Sequence, residues 1–275
     1  TLTGADAAMV TSGATAAIVL ATAACMTRGD KDAMQRLPDT RGMRNQVIIQ
    51  KKHRYTYDRA LWVAGAELVE VESEADVRKV ASERTAMMFF LKPTQVGHDI
   101  EADRYLALAR ELGIPSFCDA ATTTPPASNV IDGVSEGFDL ICYSGGKGLR
   151  GPYSAGLLLG RADLIAFARE HAAPNDQSIG RGMKVSIEEY LGMLIALEAG
   201  LEVDEQEEAA AKRRRFVTIT DQLADIPGVR TEVVVSEGET TELYLDVDWD
   251  QEVIPISRAD FIRALKAHEP AVEVR

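Results

Sequence analysis

Short apolar runs recur along this chain, each closed by glycine, proline or charge. Val47-Ile48-Ile49, Glu67 to Val71, Ala86 to Leu91, Ile114 to Cys118, Phe138 to Tyr143 and Ser154 to Leu159 predict strands. Between them, Ala14 to Met26, Tyr57 to Ala64, Ala75 to Glu83, Asp103 to Leu112 and Ala162 to Glu170 predict helices, and Gly113 ends the fourth of these. Strand and helix alternate repeatedly, the pattern of a mostly parallel sheet with helices on both faces. Gly29 to Asn45 reads as a polar connection. Ile187 to Leu223 then predicts one or two long helices, with Ile187, Tyr190, Leu191, Leu194, Ile195 and Leu197 on one side. Val229 to Val235 and Glu242 to Val247 read as strands, Ser257 to Ala267 as a capped helix, and Ala271 to Val274 as strand-like. The expected fold class is therefore α/β over residues 1–200, with a linking helix and a small α+β C-terminal domain over 201–275.

The strand ends carry the chemistry. Asp119 directly follows one apolar run, while Ser144 and Lys147 follow the next, and open α/β sheets bind ligands at that edge. Gly146, Gly148 and Gly151 match G-x-G-x-x-G, but Pro152 and a strand follow where a dinucleotide site needs a helix. A Walker A loop needs Ser or Thr directly after its Lys, where Gly148 stands. Both readings fail, and Gly-Gly-Lys alone also describes a solvated lysine in a turn. Ser12-Gly13-Ala14 opens a helix, either as an ordinary N-cap or as an anion seat. His53 follows a strand, either as a surface residue or as a ring over a ligand. Arg54 has the planar fork suited to clamping a carboxylate or phosphate. The four histidines, His53, His98, His171 and His268, show no metal-ligand spacing, and no G-x-S-x-G elbow occurs.

Composition narrows the function classes. A net charge of −13 over 275 residues repels phosphate backbones. The one basic cluster, Lys212 to Arg215, follows acidic Glu202 to Glu208 and reads as a solvated helix, which argues against nucleic acid as a partner. No apolar run reaches the ~18 residues of a membrane span. Thr1 to Val10 lacks the basic start and cleavage site of a signal peptide. Three cysteines without C-x-x-C point to reduced, buried thiols and a cytoplasmic location.

Ser144-Gly145-Gly146-Lys147-Gly148-Leu149-Arg150-Gly151-Pro152 resembles the cofactor-lysine loop of fold-type I pyridoxal 5'-phosphate (PLP) enzymes. The resemblance is to the selenocysteine synthase (seryl-tRNA selenium transferase)-related and D-glucosaminate-6-phosphate ammonia-lyase group. It extends in order through Thr11 to Thr15, Leu37 to Thr40, His53-Arg54, Asp119-Ala120-Ala121 with Pro125-Pro126, and Ile179 to Val185. It implies PLP held as a Schiff base by Lys147, with Asp119 at the pyridine nitrogen and Ser12, Gly13, Ala14 and Ser144 at the phosphate. It also implies His53 over the ring and Thr122 where many relatives carry a Gln against the phenolic oxygen. Arg54, Arg181 and Lys184 become the candidate groups for an anionic substrate. The implied reaction is α,β-elimination from an anionic 2-amino-3-hydroxy acid, sugar-derived or phosphorylated, rather than transamination. A seryl transferase like selenocysteine synthase, and a PLP-binding protein without turnover, are the alternatives. The resemblance further implies a homodimer or higher homo-oligomer, with the Ile179 to Lys184 loop near its interface. Relatives carry a further segment before Thr11 and another strand and helix beyond Arg275, so the chain reads as part of a longer protein.

Overall fold

The computed structural model describes residues 2–92, 97–235 and 243–274. Two compact units divide the chain, one holding Thr1–Val203 and the other beginning at Asp204.

The first unit is built on a seven-stranded sheet. In chain order its elements are β1 (Ala7–Thr11), α1 (Gly13–Thr27), α2 (Lys31–Arg36), β2 (Gln46–Gln50), α3 (Arg59–Val63), β3 (Glu67–Val71), α4 (Glu74–Val80), β4 (Thr85–Leu91), α5 (Ala102–Leu112), β5 (Ser116–Asp119), α6 (Asn129–Ser135), β6 (Leu140–Ser144), β7 (Gly156–Gly160), α7 (Ala162–Glu170) and α8 (Ile187–Leu201). Across the sheet the order is β1-β7-β6-β5-β4-β2-β3. The pairs from β6 to β3 are parallel, and β7 runs against both neighbours. The expected α/β architecture, a mostly parallel sheet with helices on both faces, is what forms.

Alternate residues of each strand feed two cores. Val47, Ile49, Phe89, Phe117, Cys142 and Leu158 pack on one face with α1, which is buried from Ala16 to Thr27. Ile48, Met88, Phe90, Cys118, Ile141 and Leu159 pack on the other, with Leu106 of α5 and Met193 and Leu197 of α8. Every residue of β4 is buried, and its sequence from Ala86 to Leu91 is accordingly an unbroken apolar run.

Some elements differ from the pattern. α2 forms inside the expected polar connection because the Asp30 carboxylate caps it, accepting from the amides of Asp32 and Ala33 at 3.0 and 3.1 Å. The long helical stretch is two helices. Asp204 starts the second, α9 (Glu205–Leu223), by accepting from Gln206 and Glu207 at 2.9 and 3.1 Å. In the second unit, β8 (Val229–Val235) pairs antiparallel with β9 (Leu243–Trp249), followed by α10 (Arg258–Ala267). Trp249 packs on Phe261 at 5.0 Å and its indole N–H donates to the Ile256 carbonyl at 3.0 Å. The expected strand at Ala271 to Val274 does not form. Glu242, the expected start of the preceding strand, and positions 93–96 of the loop after β4 lie outside the described residues.

Candidate active site

The sheet register gathers the candidate residues at one edge. β1, β5 and β6 end there, at Thr11, Asp119 and Ser144, and antiparallel β7 begins there, with Gly156 paired to both Thr11 and Ser144. A Cβ on Gly156 would lie 2.4 Å from the Gly13 carbonyl carbon and 2.6 Å from the Ala14 nitrogen. Only glycine lets the start of α1 settle onto that strand. Gly13 itself has φ +83°, so the chain turns into the helix through a conformation that favours glycine. Ser12 occupies the N-cap, yet its hydroxyl makes no bond to its own helix, and the first turn carries no acidic residue. The free amides and positive end of α1 therefore form a seat for an anion, half-exposed at Ser12, Gly13 and Ala14.

Asp119 is 3% exposed, at the end of β5. Oδ1 accepts from the Ala121 amide at 2.9 Å and from the Cys142 thiol at 3.7 Å, and Oδ2 accepts from the Tyr55 hydroxyl. Burial pushes the proton affinity of the carboxyl up; the Tyr55, Ala121 and Cys142 donors and the positive charge of Lys147 oppose that rise. Burial beside this carboxylate also keeps the Tyr55 phenol and the Cys142 thiol protonated, hence as donors.

The glycines around Lys147 have a packing reason. The Gly145 amide donates to the Ala155 carbonyl and the Gly151 amide to the Gly145 carbonyl, both at 2.8 Å, closing a tight loop. A Cβ on Gly148 would meet the Thr124 carbonyl carbon and oxygen at 2.1 Å. The lysine loop thus lies directly on the turn that follows Asp119. Lys147 is exposed, and so is Thr122, while the Thr124 hydroxyl is buried without a hydrogen-bond partner among the described residues. An uncommitted helix N-terminus, an exposed amine and a buried carboxylate within electrostatic reach of it are a donor set that fits PLP.

Other candidates are placed differently. His53 is fully buried: Nδ1 accepts from the Leu91 amide at 3.2 Å, so Nε2 donates to His98 Nδ1 at 2.9 Å. Its ring packs edge-on against Phe90, on the opposite face of the sheet from Phe117. Asp119, two residues after Phe117, shares Phe117's face, so His53 is not gathered with it. Burial lowers the imidazole's pKa to about 3, with His98 contributing. The aromatic residue that reaches Asp119 is Tyr55, whose only sequence signal was its place just past the end of β2. Arg54 is committed to Asp58 at 2.5 Å and to Glu70 on β3. Those two acids neutralise it, so it is not an open anion clamp. Arg181 and Lys184 line a cleft along β1 with Thr11, Arg169 and Tyr190. Among the described residues, the ion pair of Arg181 is a long one, 3.6 Å, to exposed Asp176.

No protein-family model matches the chain. It is 30% identical over 286 residues to a 5'-C-glycyluridine monooxygenase-decarboxylase from Streptomyces, covering 99% of this chain and 69% of that protein. It is 31% identical over 208 residues to a D-glucosaminate-6-phosphate ammonia lyase from Salmonella typhimurium, covering 71% of this chain and 54% of that one. Among solved structures, a D-glucosaminate-6-phosphate ammonia-lyase superposes with TM-score 0.86 at 26% identity, over 100% of this chain and 74% of the other. A pyridoxal-5'-phosphate-dependent protein from Escherichia coli shares the fold at TM-score 0.55 and 18% identity, over 90% and 62%.

Proposed function

This chain belongs to the fold-type I PLP-dependent enzymes, and we propose that it is an ammonia lyase acting on an anionic 2-amino-3-hydroxy acid with a sugar-derived or phosphorylated body. The observation that carries the reading is the meeting of Lys147, Asp119 and the uncapped start of α1 at one sheet edge, in a chain that superposes on an ammonia-lyase at TM-score 0.86. D-glucosaminate 6-phosphate is itself such a compound, a 2-amino-3-hydroxy acid ending in phosphate.

When bound, PLP supplies an electron sink for the charge left on Cα as its proton departs. The Ser12 and Ser144 hydroxyls and the Gly13 and Ala14 amides would hold its phosphate, and Asp119 would pair with its ring nitrogen. Lys147 would hold the cofactor, and its Nζ would take the Cα proton. The C3–O bond then breaks and the hydroxyl leaves with a proton as water. Hydrolysis of the resulting enamine gives a 2-oxo acid and ammonia. Arg181 and Lys184, rather than Arg54, are the groups for the substrate's anionic parts, through charge-assisted hydrogen bonds. Cys25, Cys118 and Cys142, buried thiols that form no disulfide, fit a reducing, cytoplasmic setting.

A second reading, oxidative decarboxylation, is favoured by the match over 99% of the chain to a monooxygenase-decarboxylase. The test separates them. Full-length protein with PLP is given D-glucosaminate 6-phosphate and unphosphorylated 2-amino-3-hydroxy acids, in parallel under nitrogen and in air, without a keto acid. Ammonia and 2-oxo acid should accumulate over many turnovers. Carbon dioxide release that needs oxygen would establish the second reading. Turnover restored only by added keto acid would mean an aminotransferase, and none on any compound a protein that only binds PLP.

The enzyme is further proposed to be a homodimer. α8 buries Met193 and Leu197 but leaves Ile187, Tyr190, Leu191, Leu194 and Ile195 exposed in one stripe, Ile187 at 65% and Ile195 at 63%. That stripe reaches the Arg181–Lys184 cleft through Tyr190. Paired Leu191→Glu and Leu194→Glu changes should shift sedimentation to the monomer and weaken turnover. A full-length protein that is monomeric and fully active contradicts the proposal.

A further inference from the structure

Asp119 has more partners than a carboxylate serving one ring nitrogen needs. An ionised carboxylate offers about four acceptor positions. Ala121 and Cys142 fill both on Oδ1, and Tyr55 fills one on Oδ2, which among the described residues leaves a single place open on Oδ2. Of the three donors, Tyr55 has the longest anchoring chain. Its ring lies 6.2 Å from Phe89, itself 5.7 Å from Phe117, on the face that Asp119 shares. Its amide donates to Asp58 Oδ2 at 3.3 Å, and that same oxygen accepts from Arg54 Nε at 2.5 Å. Arg54 is held in turn by Glu70. The ion pairs that remove Arg54 from the anion-clamp role thus anchor the residue that grips Asp119.

We propose that Tyr55 is a positioning residue for Asp119: anchored through Asp58 and Arg54, its hydroxyl fixes Oδ2 so that the remaining acceptor position meets the cofactor's ring nitrogen and the pair stays ionic. The inference rests on Asp119 being the ring-nitrogen partner. Its physical basis is the choice between a pyridinium–carboxylate pair and a neutral pyridine–carboxylic acid pair. Burial favours the neutral pair, while each donor to the carboxylate favours the ionic one. Among the groups that oppose Asp119's raised proton affinity, Tyr55 stands first.

The test is nitrogen-15 NMR of the full-length protein loaded with PLP labelled at the ring nitrogen, alongside the PLP dissociation constant by equilibrium dialysis. The wild type should give a protonated-nitrogen resonance and Asp119→Asn an unprotonated one. Tyr55→Phe, which keeps the ring packing, should move the resonance most of the way to the Asp119→Asn position. It should also weaken PLP about tenfold, the scale of one lost hydrogen bond to a charged group. If Tyr55→Phe does not fold, fluorinated tyrosines at position 55 replace it. These keep the hydroxyl and grade its donor strength, and the resonance should shift further toward protonated as the phenol becomes more acidic. A wild-type resonance in Tyr55→Phe, or one indifferent to fluorination, overturns the proposal. A protonated resonance in Asp119→Asn overturns instead the underlying assignment of Asp119, and the two failures are distinct.

Discussion

Lys147→Ala should lower turnover by at least ~10³-fold, because on the proposed assignment it removes both the cofactor's attachment point and the group that takes the Cα proton; general acid–base roles alone are worth about 10²–10⁴. The fold should survive. Lys147 is exposed at the tip of its loop, and the contacts that hold that loop are backbone bonds among Gly145, Gly151 and Ala155 and the seating of Gly148 on Thr124. PLP should still bind, more weakly, at the Ser12–Ala14 seat. Methylamine offers a check: part of the lost activity should return, since a free amine can take up the proton-transfer role. A Lys147→Ala protein with near-wild-type kcat places the amine elsewhere.

Asp119→Asn should retain PLP and lose about 10²-fold or more in kcat, comparable to removing one preorganised charge-stabilising group from an active site. The amide keeps the shape of the side chain and an acceptor for the Ala121 amide, so the local fold should persist. It cannot take up the positive charge of a protonated ring nitrogen, and the sink for the Cα charge fails. The proposed phosphate seat lies on β1, α1 and β6 and does not depend on this carboxylate, so affinity for the cofactor should change much less than turnover. A kcat within a few-fold of wild type means that another group serves the nitrogen.

β2, β4, β5, β6 and β7 and the edge they share were legible in the sequence because each is an apolar run stopped by a polar or glycine residue, whereas β1 lies in a mixed stretch that the pattern does not mark as a strand. Asp119, Ser144 and Lys147 stand at such stops, and their meeting follows from a mostly parallel sheet. The antiparallel course of β7 was not legible. A five-residue run such as Gly156–Gly160 carries no mark of direction, which is set by the pairing of Gly156 with both Thr11 and Ser144. Nor could His53 be placed. A 3-10 turn over Lys51–His53 interrupts the two-residue alternation that tells one sheet face from the other. The partner of His53, His98, lies 45 positions away. Tyr55 escaped for a related reason: its bond to Asp119 spans 64 positions and leaves no local pattern. Arg54 read as an open clamp because the acids that neutralise it, Asp58 and Glu70, come together only when β3 pairs with β2 and the turn before α3 closes.

The most direct measurement is borohydride reduction of the PLP-loaded, full-length protein, followed by proteolysis and mass spectrometry of the lysine peptides. A single pyridoxyl group on Lys147, absent when PLP is left out, is the expected result. A pyridoxyl group on any other lysine, or none at all, would contradict the assignment of this site.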